Sequence, residues 1–365
     1  MDNGAHGKAE VSRRVLLLGA ASSRLGFALG KGQTIPAEGV RYLDPATEFP
    51  VERLTDPEYS SYWPYPYARA IARKGAFFLF SSDRGDGLQA FRYELRSGEI
   101  KQLTEAKDLH HETLNILPDD RAFAFIDGRS LKVASFSGLR EREVYRIPDD
   151  WELGEGFSVA GDGVYAVVVE KQGKRSRLQL IGMAKGTSST MFMCEEPLAH
   201  PAPRPKRASV LYQRDDKLCL VNYDGQNNIQ LATLTPSPGA AIWSPDGRTV
   251  QYLDRGITIH EVTPDTRQDR RIASTSQFGN IAGNADGTVY VAASRSKAQP
   301  YVLLMVRAVK RELAVCEHKA SDPASVTPVF SPTSQRIYFQ SDRHGKPAIY
   351  SVVVDKFIEK TESES

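Results

Sequence analysis

Cysteine is scarce in this chain: three in 365 residues, Cys194, Cys219 and Cys316, with no CxxC pair among them. Such spacing argues against both a disulfide framework and a zinc knuckle. Each cysteine lies in an apolar, strand-like run and reads as a buried free thiol. Net charge is small as well, +2 from 47 basic and 45 acidic residues. No long basic run with interleaved aromatics occurs, so neither nucleic acid nor an anionic membrane is expected as a partner. The G-x-S-x-G pattern is missing, which argues against the hydrolase domain of a peptidase-associated propeller. Past the N-terminal region no segment is apolar for long enough to span a bilayer.

What is present suits a soluble chain with a full core: 41% of the residues are hydrophobic and 25% charged. The stretch "SRRVLLLGAASSRLGFALG", Ser12 to Gly30, stands apart. Arg13 and Arg14 before a modest apolar run resemble a twin-arginine export signal, and Arg24 interrupts the run. Residues 1–33 are therefore expected to be an export signal or a disordered tail, and the location periplasmic or exported, with a cytoplasmic location as the alternative. Residues 355–365 read as a polar tail.

Between these ends one unit repeats. "FSPTSQRIYFQSDRHGKPAIYSV" from Phe330 has counterparts starting at Ala70, Ile116, Ser158, Pro203, Ala241 and Asn280. Each is an apolar stretch, a turn such as Pro245-Asp246-Gly247, an alternating strand, a second polar turn and another alternating strand. The turns recur roughly every 40 to 47 residues, the length of one four-stranded propeller blade. The spacing predicts an all-β, seven-bladed β-propeller, one domain over 36–354. Most units end in a charged fourth strand, such as "GEIKQLTE" from Gly98, but nothing of the kind follows "AIYSVVVD". "PVERLTD", Pro50 to Asp56, stands spare before the first unit, so this N-terminal strand is expected to complete the last blade and close the ring.

Several runs go beyond a generic or TolB-like propeller: "YRIPDDWELGEGFSVAGDG" from Tyr145, "LAHPAPRP" from Leu198, "CLVNYDGQN" from Cys219, "IWSPDG" from Ile242 and "FQSDRHGKPAIY" from Phe339. In this order and at blade spacing they resemble the oligogalacturonate lyases, a pectin-fragment-degrading family with a seven-bladed propeller. The resemblance implies β-elimination on an acidic oligosaccharide. A base removes the proton α to the uronate carboxylate, and a cation neutralises that carboxylate as charge builds up in the transition state. It also implies a manganese ion held by several histidines and a glutamine.

This chain departs from that pattern. Ala240 stands where the family has its base histidine, and Asn280 where it has a metal histidine. Ser325 and Thr327 replace two further ligands, Asp322 holds the glutamine place, and Lys217 the place of a carboxylate-binding arginine. His200 and Arg204 match family residues of the same type, and Tyr65, Tyr67 and Arg69 match an aromatic-basic run. A rebuilt centre would use His200 as base or ligand, Arg204 and Lys217 on carboxylates, and Asn280, Asp322 and His200 around a metal, with oxygen donors suiting manganese or calcium better than softer metals. Otherwise there is no cofactor. Tyr65, Tyr67 and Arg69, with Trp63 among them, would bind the sugar.

The remaining candidates read as structural. His110 and His111 are neighbours on opposite faces of a strand and do not make a shared metal site. His318 is expected on an outer-strand surface, His260 at a strand end and His344 in a solvated hairpin. Asp83-Arg84 and Asp342-Arg343 repeat as turn geometry. Trp151 and Trp243 read as packing residues. Two functions stay open: a lyase acting on short uronic-acid oligosaccharides, and a non-catalytic propeller that binds an oligosaccharide or a protein partner.

Overall fold

The computed structural model describes residues 29–64, 67–234 and 241–355. The twin arginines, Tyr65, Ala240 and residues 356–365 lie outside the described residues. The fold is all-β, with thirty strands and two single-turn 3₁₀ helices, His111–Thr113 and Pro323–Ser325, among the described residues. No helix there is long and apolar enough to cross a membrane.

The strands form six sheets built from antiparallel meanders, with N-terminal strands added at the outer edges of the first and last. Three have four strands, two have five and one has eight. The eight-stranded sheet is two meanders, from Glu152–Val159 to Ser188–Cys194 and from Leu198–Pro203 to Ile229–Thr233. A single parallel pair, Glu155 opposite Ala199, joins their inner strands.

The turn after each inner strand explains the meanders. Each such turn holds one left-handed residue: Gly75, Asp120, Gly163, Gly247, Gly287 and Ser334 at the end of the turn, and Lys206 one place earlier in its own. In four of these turns an aspartate side chain accepts the N–H two residues on: Asp119 from Arg121, Asp162 from Val164, Asp246 from Arg248 and Asp286 from Thr288. Glycine is required at 247, where an added Cβ would stand 2.5 Å from the Pro205 carbonyl oxygen.

Burial on both faces explains the continuous apolar runs. In Val289–Ala293, Val289, Val291 and Ala293 point into one apolar cluster and Tyr290 and Ala292 into another. Seven such clusters occur, each filling the space between consecutive meanders. One joins Phe78 and Phe80 of the first sheet to Tyr338 and Ile349 of the last, so the two ends of the array pack together. This is a β-propeller architecture.

The spare strand pairs as expected. Pro50–Arg53 lies antiparallel to Ala348–Val353, with Val51 opposite Val352, and Val40–Leu43 adds outside it. The Asp-Arg repeats do more than shape turns. Asp83 accepts the Ser60 N–H and Asp342 the Ser321 N–H, both at 2.8 Å. Arg84 pairs with Glu38 at 2.9 Å and Arg343 with Asp44 at 3.4 Å, so the N-terminal segment neutralises both arginines.

Candidate active site

His200 lies on the inner strand Leu198–Pro203, whose pairing slips between Ala199 and Ala202. The slip is built by His200 itself, at φ 56°. It is matched by glycine on the neighbouring inner strand. Gly156 has φ 136°, and a Cβ there would stand 2.3 Å from Pro201 Cδ. "GEG" and "HP" are therefore fitted to each other where, among the described residues, two meanders share a ladder pair. Burial lowers the basicity of the His200 imidazole below the usual range, while the Glu155 carboxylate pulls the other way. The imidazole is thus neutral at neutral pH, the form that accepts a proton.

Tyr67 comes from the first sheet's entry segment and reaches across to the same place. Its ring centroid is 6.5 Å from that of His200, and its hydroxyl accepts the Ala241 N–H at 3.0 Å. It packs on the cluster between the fourth and fifth meanders. Burial pushes its hydroxyl pKa well above the usual value, so it stays protonated. Two residues on, Arg69 donates from Nε to Ile116 O at 3.1 Å and from Nη2 to Leu117 O, and pairs with Asp120. Its Nη1 is buried with no hydrogen-bond partner. Arg69 also lines a cavity of about 380 Å³ with Trp63, Ile242, Trp243 and Asn284. An arginine fork among aromatic walls has the donors and faces that bind a sugar acid. Trp63 is buried in the wall, stacked on Tyr338 at 5.8 Å.

The other sequence candidates are not gathered around His200. Register puts Leu198 opposite Arg214, beside the Lys217 hairpin, whereas Arg204 lies at the far end of the strand. Arg204 is buried and doubly bonded to Asp265 at 2.9 and 3.2 Å, and it donates to Gly247 O at 2.7 Å. Lys217 pairs with Glu196 at 3.1 Å, a carboxylate shared with Arg214. Asn280 is buried. Its Nδ2 donates to Val326 O at 2.7 Å, and its Oδ1 accepts the Ala293 N–H at 3.4 Å. Asp322 is exposed and caps the 3₁₀ helix through the Ala324 N–H. Among the described residues no group of three His, Cys, Asp or Glu side chains is placed to hold a metal ion.

Other histidines are tied down. His110 contacts the Gly128 carbonyl, and His111 pairs with Glu112. His260 sits within the strand Thr258–Thr263, beside Asp269 at 3.0 Å, rather than at its end. His344 is exposed, as expected of a hairpin residue, and its Nδ1 lies 2.9 Å from the Tyr350 hydroxyl. His318, expected at the surface, is fully buried, because the chain folds it under Ser294 and Ser341. All three cysteines are free; Cys219 and Cys316 are buried and Cys194 is half-buried. Glu155 escaped the sequence reading, although its setting between Gly154 and Gly156 marks a close backbone approach.

A family model described as Oligogalacturonate lyase matches residues 29–179. An oligogalacturonide lyase of Pectobacterium atrosepticum and an oligogalacturonate lyase of Dickeya dadantii are each 24% identical over 379 aligned positions, which cover 88% of this chain and 97% of theirs. A solved oligogalacturonate lyase in complex with manganese is 25% identical, with a TM-score of 0.84 over 91% of this chain and all of its own. The oligogalacturonate lyase of Vibrio parahaemolyticus has the same fold, with a TM-score of 0.84 at 22% identity over 90% of this chain and all of its own.

Proposed function

We propose that this chain is an oligogalacturonate-lyase-like protein that cleaves short uronic-acid oligosaccharides by β-elimination. The observation that carries this reading is the placement of His200, neutral and half-buried, beside Tyr67 and Glu155 in a chain similar to such lyases over nearly its whole length. His200 takes the proton α to the carboxylate. The freed electron pair forms a carbon–carbon double bond, and the glycosidic oxygen on the next carbon leaves and takes up a proton. Arg69, which lines the 380 Å³ cavity two residues on from Tyr67, is the cation offered to the sugar's carboxylate, and the protonated Tyr67 hydroxyl is a donor to its oxygens.

Manganese does not fit the residues present. Both polar atoms of the Asn280 side chain are engaged with backbone, and Asp322 is used as a helix cap. The chemistry is therefore assigned to side chains alone. We also infer seven blades, counting the eight-stranded sheet as two, in a ring closed by the strand Pro50–Arg53 and forming one domain over 36–354. The seven left-handed turn residues and the seven interlayer clusters support that count.

The test is a lyase assay on di- and trigalacturonate, following the ultraviolet absorbance of the new double bond. The expected result is a rise that persists under metal chelation and is lost in His200→Ala. No rise with folded protein, or a rise untouched by that substitution, overturns the assignment.

A further inference from the structure

Apart from the cavity that Arg69 lines, a second cavity of about 380 Å³ opens where the first and last sheets meet. Its floor is the closing strand, with Glu52 opposite Ser351 in the ladder. Four cations line it: Arg41, Lys74, Arg96 and Arg336. Among the described residues only one carboxylate lines the cavity with them. Glu52 pairs with Arg41 at 3.2 Å and Arg336 at 3.5 Å. Lys74 and Arg96 form no ion pair with the described residues. Like charges gathered around one acid repel one another, and an arriving anion relieves that repulsion.

Glycines keep the space open. A Cβ on Gly75 would meet nothing within 4 Å, and the nearest atoms to one on Gly39, from Glu52, Arg53 and the Tyr93 hydroxyl, would stand at ordinary contact distance. Ser97, Thr333 and Gln335 add uncharged hydrogen-bonding groups to the rim. The volume lies within the range of small-ligand sites.

We propose that this cavity is a binding site for an oxyanion-bearing ligand of up to about disaccharide size, held by Lys74, Arg96, Arg41 and Arg336. The ligand chemistry is that of a carboxylate or phosphate group, supplied by a uronate disaccharide or by free phosphate. Because the floor pairs the N-terminal strand with the last one, an occupant holds the two together and adds to the stability of the fold. The proposal does not depend on the lyase reading.

The experiment is thermal unfolding of the full chain with digalacturonate, inorganic phosphate or the neutral disaccharide cellobiose. At a hundredfold excess over Kd, a binding anion raises the Tm by about 4 °C. The rise is expected to vanish in Lys74→Ala/Arg96→Ala and in the cavity-filling Gly39→Leu, and to persist in His200→Ala. Lys74 and Arg96 are exposed turn residues, so their removal leaves the fold intact. A rise with digalacturonate alone identifies a uronate ligand; a rise with phosphate as well identifies a general oxyanion site. No rise with either anion, or one unchanged in the double variant, overturns the proposal.

Discussion

Arg343 Nη1 lies 3.4 Å from Asp44 Oδ2, and both side chains are shut away from water, at 5% and 0% exposure. Asp44 also accepts the Ala46 and Glu317 N–H groups, each at 3.2 Å. Removing one member of such a pair leaves a buried charge without compensation. Asp44→Ala is therefore expected to cost about 3–5 kcal/mol in urea unfolding. Asp44→Ala/Arg343→Met should recover much of that loss. A single substitution that leaves stability unchanged would mean that water already reaches the pair.

His318 sets an acid limit on stability. Its Nδ1 accepts the Ala320 N–H at 3.2 Å, which leaves Nε2 to donate to Ser294 O at 3.0 Å. This neutral tautomer is fully bonded, and protonation would set a new N–H against the Ala320 N–H. Burial, chiefly, lowers its pKa below the unfolded value. The unfolded chain then binds more protons, so this stability is present above about pH 6.5 and is lost as pH falls towards the folded pKa. Burial lowers His200 in the same direction. Unfolding free energy measured from pH 7.5 to 5 should fall, and His318→Asn should flatten part of that slope while lowering stability at pH 7.5. An unchanged slope in the variant would refute the assignment.

Gly156→Ala tests how His200 is held. The added methyl would meet Pro201 Cδ at 2.3 Å on a backbone at φ 136°, so the inner strands must part. A loss of about 1–3 kcal/mol is expected from the strained backbone. Any lyase activity should fall further than the melting temperature suggests, because the displaced segment carries His200. Full activity with unchanged stability would show that the bulge is not held in this way.

The regular part of the fold was legible because it is local. A turn such as Ser244-Pro245-Asp246-Gly247 contains its own bonds, Arg248 N–H to Asp246 at 3.0 Å and Ser244 Oγ to Asp246 at 2.7 Å. The alternation in Val289–Ala293 states its two buried faces directly. The closing strand was readable from a missing fourth strand at one end and a spare one at the other. The site was less legible because its contacts are distant in sequence. Arg204 is matched by Asp265 on the next meander, and Tyr67 by Ala241 across the molecule. Nothing near "CEHKASDP" shows that His318 lies under Ser294. Trp243 packs as its sequence suggested, with its Nε1–H donated to Ala202 O at 2.9 Å, whereas Trp63, read as a sugar-binding residue, is buried against Tyr338.

The pairing of Val51 with Val352 also orders events during synthesis. The partner of an early strand leaves the ribosome nearly a whole chain later, a wait of roughly 15–60 s at ordinary elongation rates. Through that interval every other meander can assemble from neighbours in sequence, while this one keeps a bare edge. A circularly permuted gene that starts at another hairpin would move the wait to a different meander, and with it the period of greatest risk for aggregation on the ribosome.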